Sequence, residues 1–330
     1  MGHRPVLLDE VVSAMAPGEG EVLVDGTYGG GGYARALLAA ANCRLVGIDR
    51  DIDAIERAMQ AAEADPRLVP VLGRFGDMLS LVEEAGFRRV DAITLDLGVS
   101  SFQLDQAERG FSFMRDGPLD MRMGQSGPSA ADVVNQMDER DLATIFFRLG
   151  EEKQSRRIAR AIVHRRLKAP FTTTLDLAGL IEEVLGGRRG SRTHPATRSF
   201  QAIRMFVNDE LGELARALEA SERLLSEGGR LVIVTFHSLE DRMVKLFMRE
   251  RAGLQGGGSR YRPQKEDLQR PSFDLPSKRA IEPSEAELEA NPRARSSRLR
   301  VAVRTDAPAM DIPVSTGVEL PDLDLVEVDS

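Results

Sequence analysis

Short apolar runs ending in Asp or Gly recur along the chain, each followed by a stretch in which apolar residues return every three or four positions. The runs are Val22-Leu23-Val24-Asp25, Leu45-Val46-Gly47-Ile48-Asp49, residues 68–72, Ala92-Ile93-Thr94-Leu95-Asp96 and, much later, Leu231-Val232-Ile233-Val234-Thr235-Phe236. Runs this short, continuous and β-branched predict strands buried on both faces, and the helical stretches between them predict the crossovers that a parallel sheet requires. After Asp51, placed to cap a helix, Ala54, Ile55, Ala58, Met59 and Ala62 keep helical spacing and would lie against the sheet. The expected fold is α/β, a Rossmann-like doubly wound sheet.

More than 130 residues separate Asp96 from the last run. That is too long for one crossover, so a helical segment is expected to be inserted there. Its most regular helix carries Lys153, Arg157, Arg160, His164 and Lys168 on one stripe and Ile158, Ala159, Ile162 and Val163 on the other side. The net charge of −8 speaks against a nucleic-acid partner only until its distribution is considered. Residues 148–204 hold thirteen Lys or Arg against five Asp or Glu, a local +8, whereas beyond Arg304 there are seven acids and no base. An ordinary solvated helix face would account for the stripe alone. The recurrence of bases at Arg188, Arg189, Arg192, Arg198 and Arg204, around a His194-Pro195 turn, tips the reading towards an RNA backbone. The acidic, proline-bearing stretch 306–330 reads as a flexible tail. One cysteine, Cys43, and four histidines give no basis for a disulfide or a structural zinc site. No run approaches the roughly 20 apolar residues that span a bilayer, and the N-terminus lacks a signal peptide's apolar core, so a cytoplasmic protein with no membrane partner is expected.

Ligands of open α/β sheets bind at the carboxyl ends of the strands. The first such end reads Asp25-Gly26-Thr27-Tyr28-Gly29-Gly30-Gly31-Gly32-Tyr33. Glycines there let the backbone approach a ligand, and the helix that follows offers free N–H groups. Gly29-x-Gly31-x-x-Ala34 with Asp49 twenty residues on also satisfies the loose dinucleotide fingerprint, and Asp49 would serve an adenosine ribose in either cofactor. Asp25 and Asp96 separate the two readings. Carboxylates at these strand ends suit a cationic sulfonium with an amino group better than an anionic pyrophosphate, which favours S-adenosylmethionine. Phe75, just beyond the third run, could edge the adenine.

A series of longer motifs accompanies this pattern. They are His3 with Pro5-Val6-Leu7-Leu8-Asp9-Glu10, the glycine loop, Gly47-Ile48-Asp49-Arg50-Asp51, and Leu95-Asp96-Leu97-Gly98-Val99-Ser100-Ser101 with Gln103-Leu104-Asp105. Then follow Arg109-Gly110-Phe111-Ser112-Phe113, residues 116–123, His194-Pro195-Ala196-Thr197-Arg198, Phe236-His237-Ser238-Leu239-Glu240-Asp241-Arg242, and residues 291–297. In these the chain resembles the bacterial 16S ribosomal RNA cytosine-N4 methyltransferases, the RsmH (formerly MraW) family, over nearly its whole length to Arg304. The resemblance implies a class I methyltransferase core. It implies S-adenosylmethionine held by Gly31, Gly32, Tyr33, Asp49, Phe75, Asp96 and Gln103, and a substrate cytosine in the decoding region of 16S rRNA within the small ribosomal subunit. The family commonly has His where this chain has Tyr33; a backbone contact would survive that change. The chain is expected to divide into a discontinuous core, 1–108 and 208–305, a helical insertion, 109–207, that recognises RNA, and the tail, 306–330. A homodimer is compatible with the sequence, which does not set the oligomeric state.

The lone pair of a cytosine amino group is delocalised and attacks poorly until it is rehybridised. An acceptor placed against that group would favour the attacking geometry and take the released proton. Amino-group methyltransferases of DNA use Asp/Asn/Ser-Pro-Pro-aromatic after the fourth strand; here Asp96-Leu97-Gly98-Val99 keeps the acid and lacks the rest. Candidates for the missing roles are Ser100, Ser101 and the His237-Ser238 pair, giving Asp96, Ser100 and His237 as the expected catalytic set. His237 orienting its own loop is an equal alternative. Phe111 or Phe113 could hold an extruded base or pack the insertion, and 116–123 could be a lid or a base-contacting element. A nicotinamide-dependent dehydrogenase and a non-catalytic ribosome-assembly factor are the rival functions.

Overall fold

A computed structural model describes residues 4–124, 126–187, 194–254 and 270–321. His3, Arg188, Arg189, Arg192 and residues 322–330 of the acidic tail lie outside the described residues, as do the side chains of Ser101 and Arg293. The chain divides into two compact units: Met1–Gly98 with Leu211–Thr316, and Val99–Glu210 with the described residues from Gly317 onwards. The sequence reading set its breaks at 108/109 and 207/208.

The first unit is built on strands β1 Val22–Asp25, β2 Arg44–Asp49, β3 Leu68–Leu72, β4 Val90–Asp96, β5 Leu225–Thr235, β6 Phe273–Asp274 and β7 Arg298–Arg304. They form one sheet in the order β3-β2-β1-β4-β5-β7-β6. The five expected strands are the five parallel ones, as their unbroken apolar runs require: Leu23, Val24, Leu45, Val46, Ala92, Ile93, Val232 and Ile233 are all fully buried. The sequence reading missed β7 and β6, which add antiparallel to β5. Arg298-Leu299-Arg300-Val301-Ala302-Val303-Arg304 is basic at alternate ends and carries no continuous apolar signal. At the other edge β3 pairs only with β2 and carries Pro70 opposite Gly47.

Helices α1 Leu8–Met15, α2 Gly32–Ala40, α3 Ile52–Ala64 and α4 Met78–Glu84 precede the second unit in sequence. Helices α5 Ser101–Asp105, α6 Ala130–Gln136, α7 Glu139–Arg148, α8 Ser155–Arg166, α9 Thr174–Leu185 and α10 Thr197–Val207 belong to that unit, and α11 Glu210–Leu224, α12 Ser238–Arg251 and α13 Glu285–Ala290 follow. Leu7, Val11, Met15 and Leu37, on and beside α1 and α2, pack with Leu23, Leu45, Ala92 and Val232 in one core. Asp51 caps α3 as its position suggested, accepting the Asp53 N–H at 3.2 Å. Among the described residues no helix is long and apolar enough to cross a membrane.

The chain after β7 is tied back to α11 and α12 as far as Val314, within the stretch 306–330 expected to be a flexible tail. Glu222 of α11, 1% exposed, is the anchor: its carboxylate receives the Met310 N–H at 3.0 Å, the Arg251 Nε at 2.8 Å and the Ser272 hydroxyl. Arg251, fully buried, also donates to the Ile312 carbonyl, and Glu219 accepts the Val314 N–H at 2.7 Å. Composition hid this because the fastening is polar and reaches back some ninety positions in sequence. Glu222→Ala would leave the buried Arg251 guanidinium with Glu250 as its remaining counter-ion and free the Met310 N–H and Ser272 hydroxyl, so it is expected to lower the unfolding free energy by about 3 kcal/mol in urea melts.

Candidate active site

By the two-residue alternation of strands, Asp25, Asp49 and Asp96, at the carboxyl ends of β1, β2 and β4, project to the same face as Leu23, Leu45 and Ala92. The loop after β1 is stitched to its neighbours. Gly26 N–H donates to Thr94 carbonyl at 3.0 Å, Tyr28 N–H to Ile48 carbonyl at 3.0 Å, and the Asp96 N–H to the Thr27 hydroxyl at 2.7 Å. Asp49 binds with both oxygens, taking the Gly29 N–H at 2.7 Å and the Asp51 N–H at 2.9 Å. A carboxylate has about four lone-pair sites, so this tie leaves it capacity for a ribose hydroxyl.

Two of the loop's glycines are set by close approach. Gly31, at φ +67°, caps α2, and a Cβ there would run into the Tyr28 ring hydroxyl; one on Gly32 would run into the Pro5 ring. The N-terminal segment therefore lies against the start of α2. Tyr33, 3% exposed, donates its hydroxyl to the Val6 carbonyl, so its phenol fastens that segment. Phe75 sits on a single 3₁₀ turn, Phe75–Asp77, beside Gly26. The turn is held by Glu213, whose carboxylate takes the Gly76 N–H at 3.0 Å and Arg74 at 2.8 Å.

Asp25 and Asp96 each keep one buried oxygen with no hydrogen-bond partner. Burial pushes the Asp25 carboxyl up to about 7, and burial with Asp25 and Glu240 nearby holds Asp96 well above the usual carboxylate range. Burial also raises Asp49. A buried carboxylate is stabilised by a cation or by donors, and here both are incomplete. The acids thus fit a positively charged ligand such as the sulfonium and ammonium groups of S-adenosylmethionine. His237 also falls in this unit, following β5 and capping α12.

The second unit holds the other expected residues. Ser100 and Gln103 form a reciprocal cap on α5: the Ser100 hydroxyl accepts the Gln103 N–H at 3.2 Å, and the Gln103 side chain accepts the Ser100 N–H at 3.0 Å. Phe111 is buried, and Phe113 packs on His194 and Phe200 with both ring centroids at 4.7 Å. The 116–123 stretch is fastened by Asn208, which accepts the Met123 N–H and donates to the Met121 carbonyl, each at 2.8 Å. On α8 the expected faces hold: Ile158, Ala159 and Ile162 are buried, while Lys153, Arg157, Arg160, His164 and Lys168 are exposed. Val163 is half-buried. A cleft of about 430 Å³ lies between α8 and α9, lined by Arg157, His164, Arg165 and Lys168 with Leu180 and Glu183.

Sequence reasoning missed Thr27, Glu213 and Glu240 as supports of the site. Their roles depend on partners brought close only by folding, and no local spacing announces them.

The sequence profile of the MraW methylase family matches residues 1–305. A protein of Hyphomonas neptunium named ribosomal RNA small subunit methyltransferase H is 64% identical over 322 residues, 98% of this chain and 94% of its own. One of the same name from Caulobacter vibrioides is 58% identical over 309 residues, 94% of this chain and 97% of its own. Solved structures align less closely, an rRNA methylase of Streptococcus thermophilus at 10% identity, over 93% of this chain and 99% of its own, with a TM-score of 0.39, so sequence relatives carry the assignment.

A cation beside Asp25 binds its ionised form, so affinity for S-adenosylmethionine is expected to rise with pH while that carboxyl loses its proton. Calorimetry should show Kd falling up to about tenfold per pH unit below about 7 and levelling above it. Asp25→Asn should weaken binding and flatten the dependence; a wild-type Kd independent of pH between 6 and 8 would contradict the assignment of the buried acids.

Proposed function

The chain belongs to the MraW methylase family, and from that membership we propose that it methylates the exocyclic N4 amine of a cytosine in the decoding region of 16S rRNA. It is an S-adenosylmethionine-dependent methyltransferase of small-subunit ribosomal RNA; the base, the N4 position and the decoding region are the proposed part. Family membership carries the base and position, and the structural observation that supports the donor half of the reading is the pair of orphaned carboxyl oxygens on Asp25 and Asp96 at adjacent strand ends, where a pyrophosphate would be repelled.

When bound, the donor supplies an electrophilic methyl group on a positively charged sulfur. In the proposed site Gly31 and Gly32 offer backbone at the start of α2, Asp49 takes the ribose, Phe75 edges the adenine, and Asp25 and Asp96 face the cationic part. Gln103 is proposed to hold the donor from its cap on α5. Asp96 would also accept a hydrogen bond from the substrate amine, drawing its lone pair out of conjugation. Ser100 and His237 are the other groups proposed to act on the amine. The second unit, containing the expected insertion 109–207, is proposed to recognise the RNA, with the α8 stripe meeting phosphates. The protein would meet the small subunit in the cytoplasm, and light scattering would decide whether it does so as a homodimer.

Small subunits lacking the modification, incubated with radiolabelled S-adenosylmethionine and then digested, should yield label in N4-methylcytidine at one site. Asp96→Ala should lower the rate by at least about a hundredfold. Donor binding with no label on subunits or free RNA would favour an assembly factor instead. Charge reversal at Arg157 and Lys168 should weaken subunit binding and reduce the slope of log K against log salt by about one for each phosphate no longer neutralised, with donor affinity unchanged.

A further inference from the structure

The two ring nitrogens of His237 are buried, and neither makes a hydrogen bond, although the side chain is only 11% exposed. Leaving a desolvated polar atom unpaired is costly, so a buried imidazole with neither nitrogen bonded calls for a group that would pair with it. The neighbour is Glu240, in the first turn of α12 and 2% exposed. Its Oε2 accepts the Phe236 N–H at 3.1 Å, which fixes the carboxylate, and Oε1 stands 2.9 Å from His237 Nε2. Nε2 and Oε1 are close, but the ring N–H is not aligned on that oxygen, so the carboxylate flanks the ring without a hydrogen bond to it.

Sheet register brings this pair to the acids. Asp96 is opposite Val234, and the Leu97 N–H donates to the Val234 carbonyl at 3.0 Å, so His237 stands three residues beyond the position facing Asp96. Glu240 is close enough to Asp96 for its charge to add to the upward push that burial and Asp25 give that carboxyl.

We infer that His237 takes the proton released by the methylated amine, with Glu240 as the positioning residue that holds the imidazole for it. The inference rests on the amine reading above. The amino nitrogen forms the new N–C bond while the C–S bond breaks, its electron pair staying on sulfur. The nitrogen then bears a positive charge and gives one proton to Nδ1, whose lone pair is free when the ring proton sits on Nε2 beside Glu240. The imidazolium faces a carboxylate, and it returns the proton to water after the product leaves. Asp96 keeps its acceptor role towards the amine.

Glu240→Gln keeps an oxygen for the Phe236 N–H and removes the charge; Glu240→Asp and His237→Gln accompany it, each checked by thermal melting. Calorimetric donor Kd, small-subunit Kd, single-turnover rate and the ¹⁵N shifts of the His237 ring are the readouts. The expected result for Glu240→Gln is affinities within about twofold of wild type, a rate about a hundredfold lower and displaced ring shifts, with partial recovery in Glu240→Asp. The double variant should be no slower than His237→Gln alone, as groups acting as one unit behave. An unchanged Glu240→Gln rate, or a slower rate matched by weaker donor binding or a lower melting temperature, would overturn the inference while leaving the amine reading intact. Wild-type label in a nucleoside other than N4-methylcytidine would remove the amine reading and this inference with it.

Discussion

Two carboxylates at the ends of adjacent parallel strands, taken out of water without enough partners, are the constraint around which the first unit is arranged. Asp25 and Asp96 each keep an oxygen unpaired, and nearby negative charge makes ionisation of either harder. The loop after β1 meets that demand only in part: the Thr27 N–H reaches one Asp25 oxygen at 3.2 Å, while other backbone groups serve Thr94, Ile48 and Asp49, and the Thr27 hydroxyl takes the Asp96 N–H. The scaffold therefore holds the acids in place by hydrogen bonds of its own backbone and hydroxyls, the preorganisation that the proposed cationic donor would use.

A second kind of buried acid behaves differently. Glu222 is as deeply enclosed as Asp25 but is surrounded by donors from Arg251, Ser272 and Met310. Its ionisation is satisfied within the chain, and it organises packing. The contrast between a saturated acid and two unsaturated ones is what sets the proposed ligand-binding carboxylates apart from a structural one.

The inner parallel strands and the acids after β1, β2 and β4 were legible because burial on both faces leaves an unbroken apolar run that stops where the chain turns; the run of β3 was read the same way, but that strand lies at the edge and is half-exposed, with Leu72 open to solvent. The α8 stripe was legible for the related reason that a half-buried helix must segregate its residues. Ser100 and Gln103 were read as chemistry when their spacing, Ser-x-x-Gln, is also a capping signature, and the structure shows that cap made. Tyr33 shows a similar double meaning: its place in the glycine loop suggested a ligand contact, and its hydroxyl serves Val6. The antiparallel β7, the fastened segment up to Val314 and the supporting acids Glu213 and Glu240 were not legible. Each depends on polar contacts between distant stretches, and a pattern of apolar positions carries no trace of them.

The two margins of the sheet have a consequence for how copies of the protein meet. Strand edges with free N–H and C=O groups invite another strand to add, and long flat edges do so most. Here β3 carries Pro70, which has no N–H to offer, and the opposite margin ends in β6, two residues long. Among the described residues, then, one border is blunted by a proline and the other by a very short strand. In a crowded solution such features work against joining into extended β-assemblies.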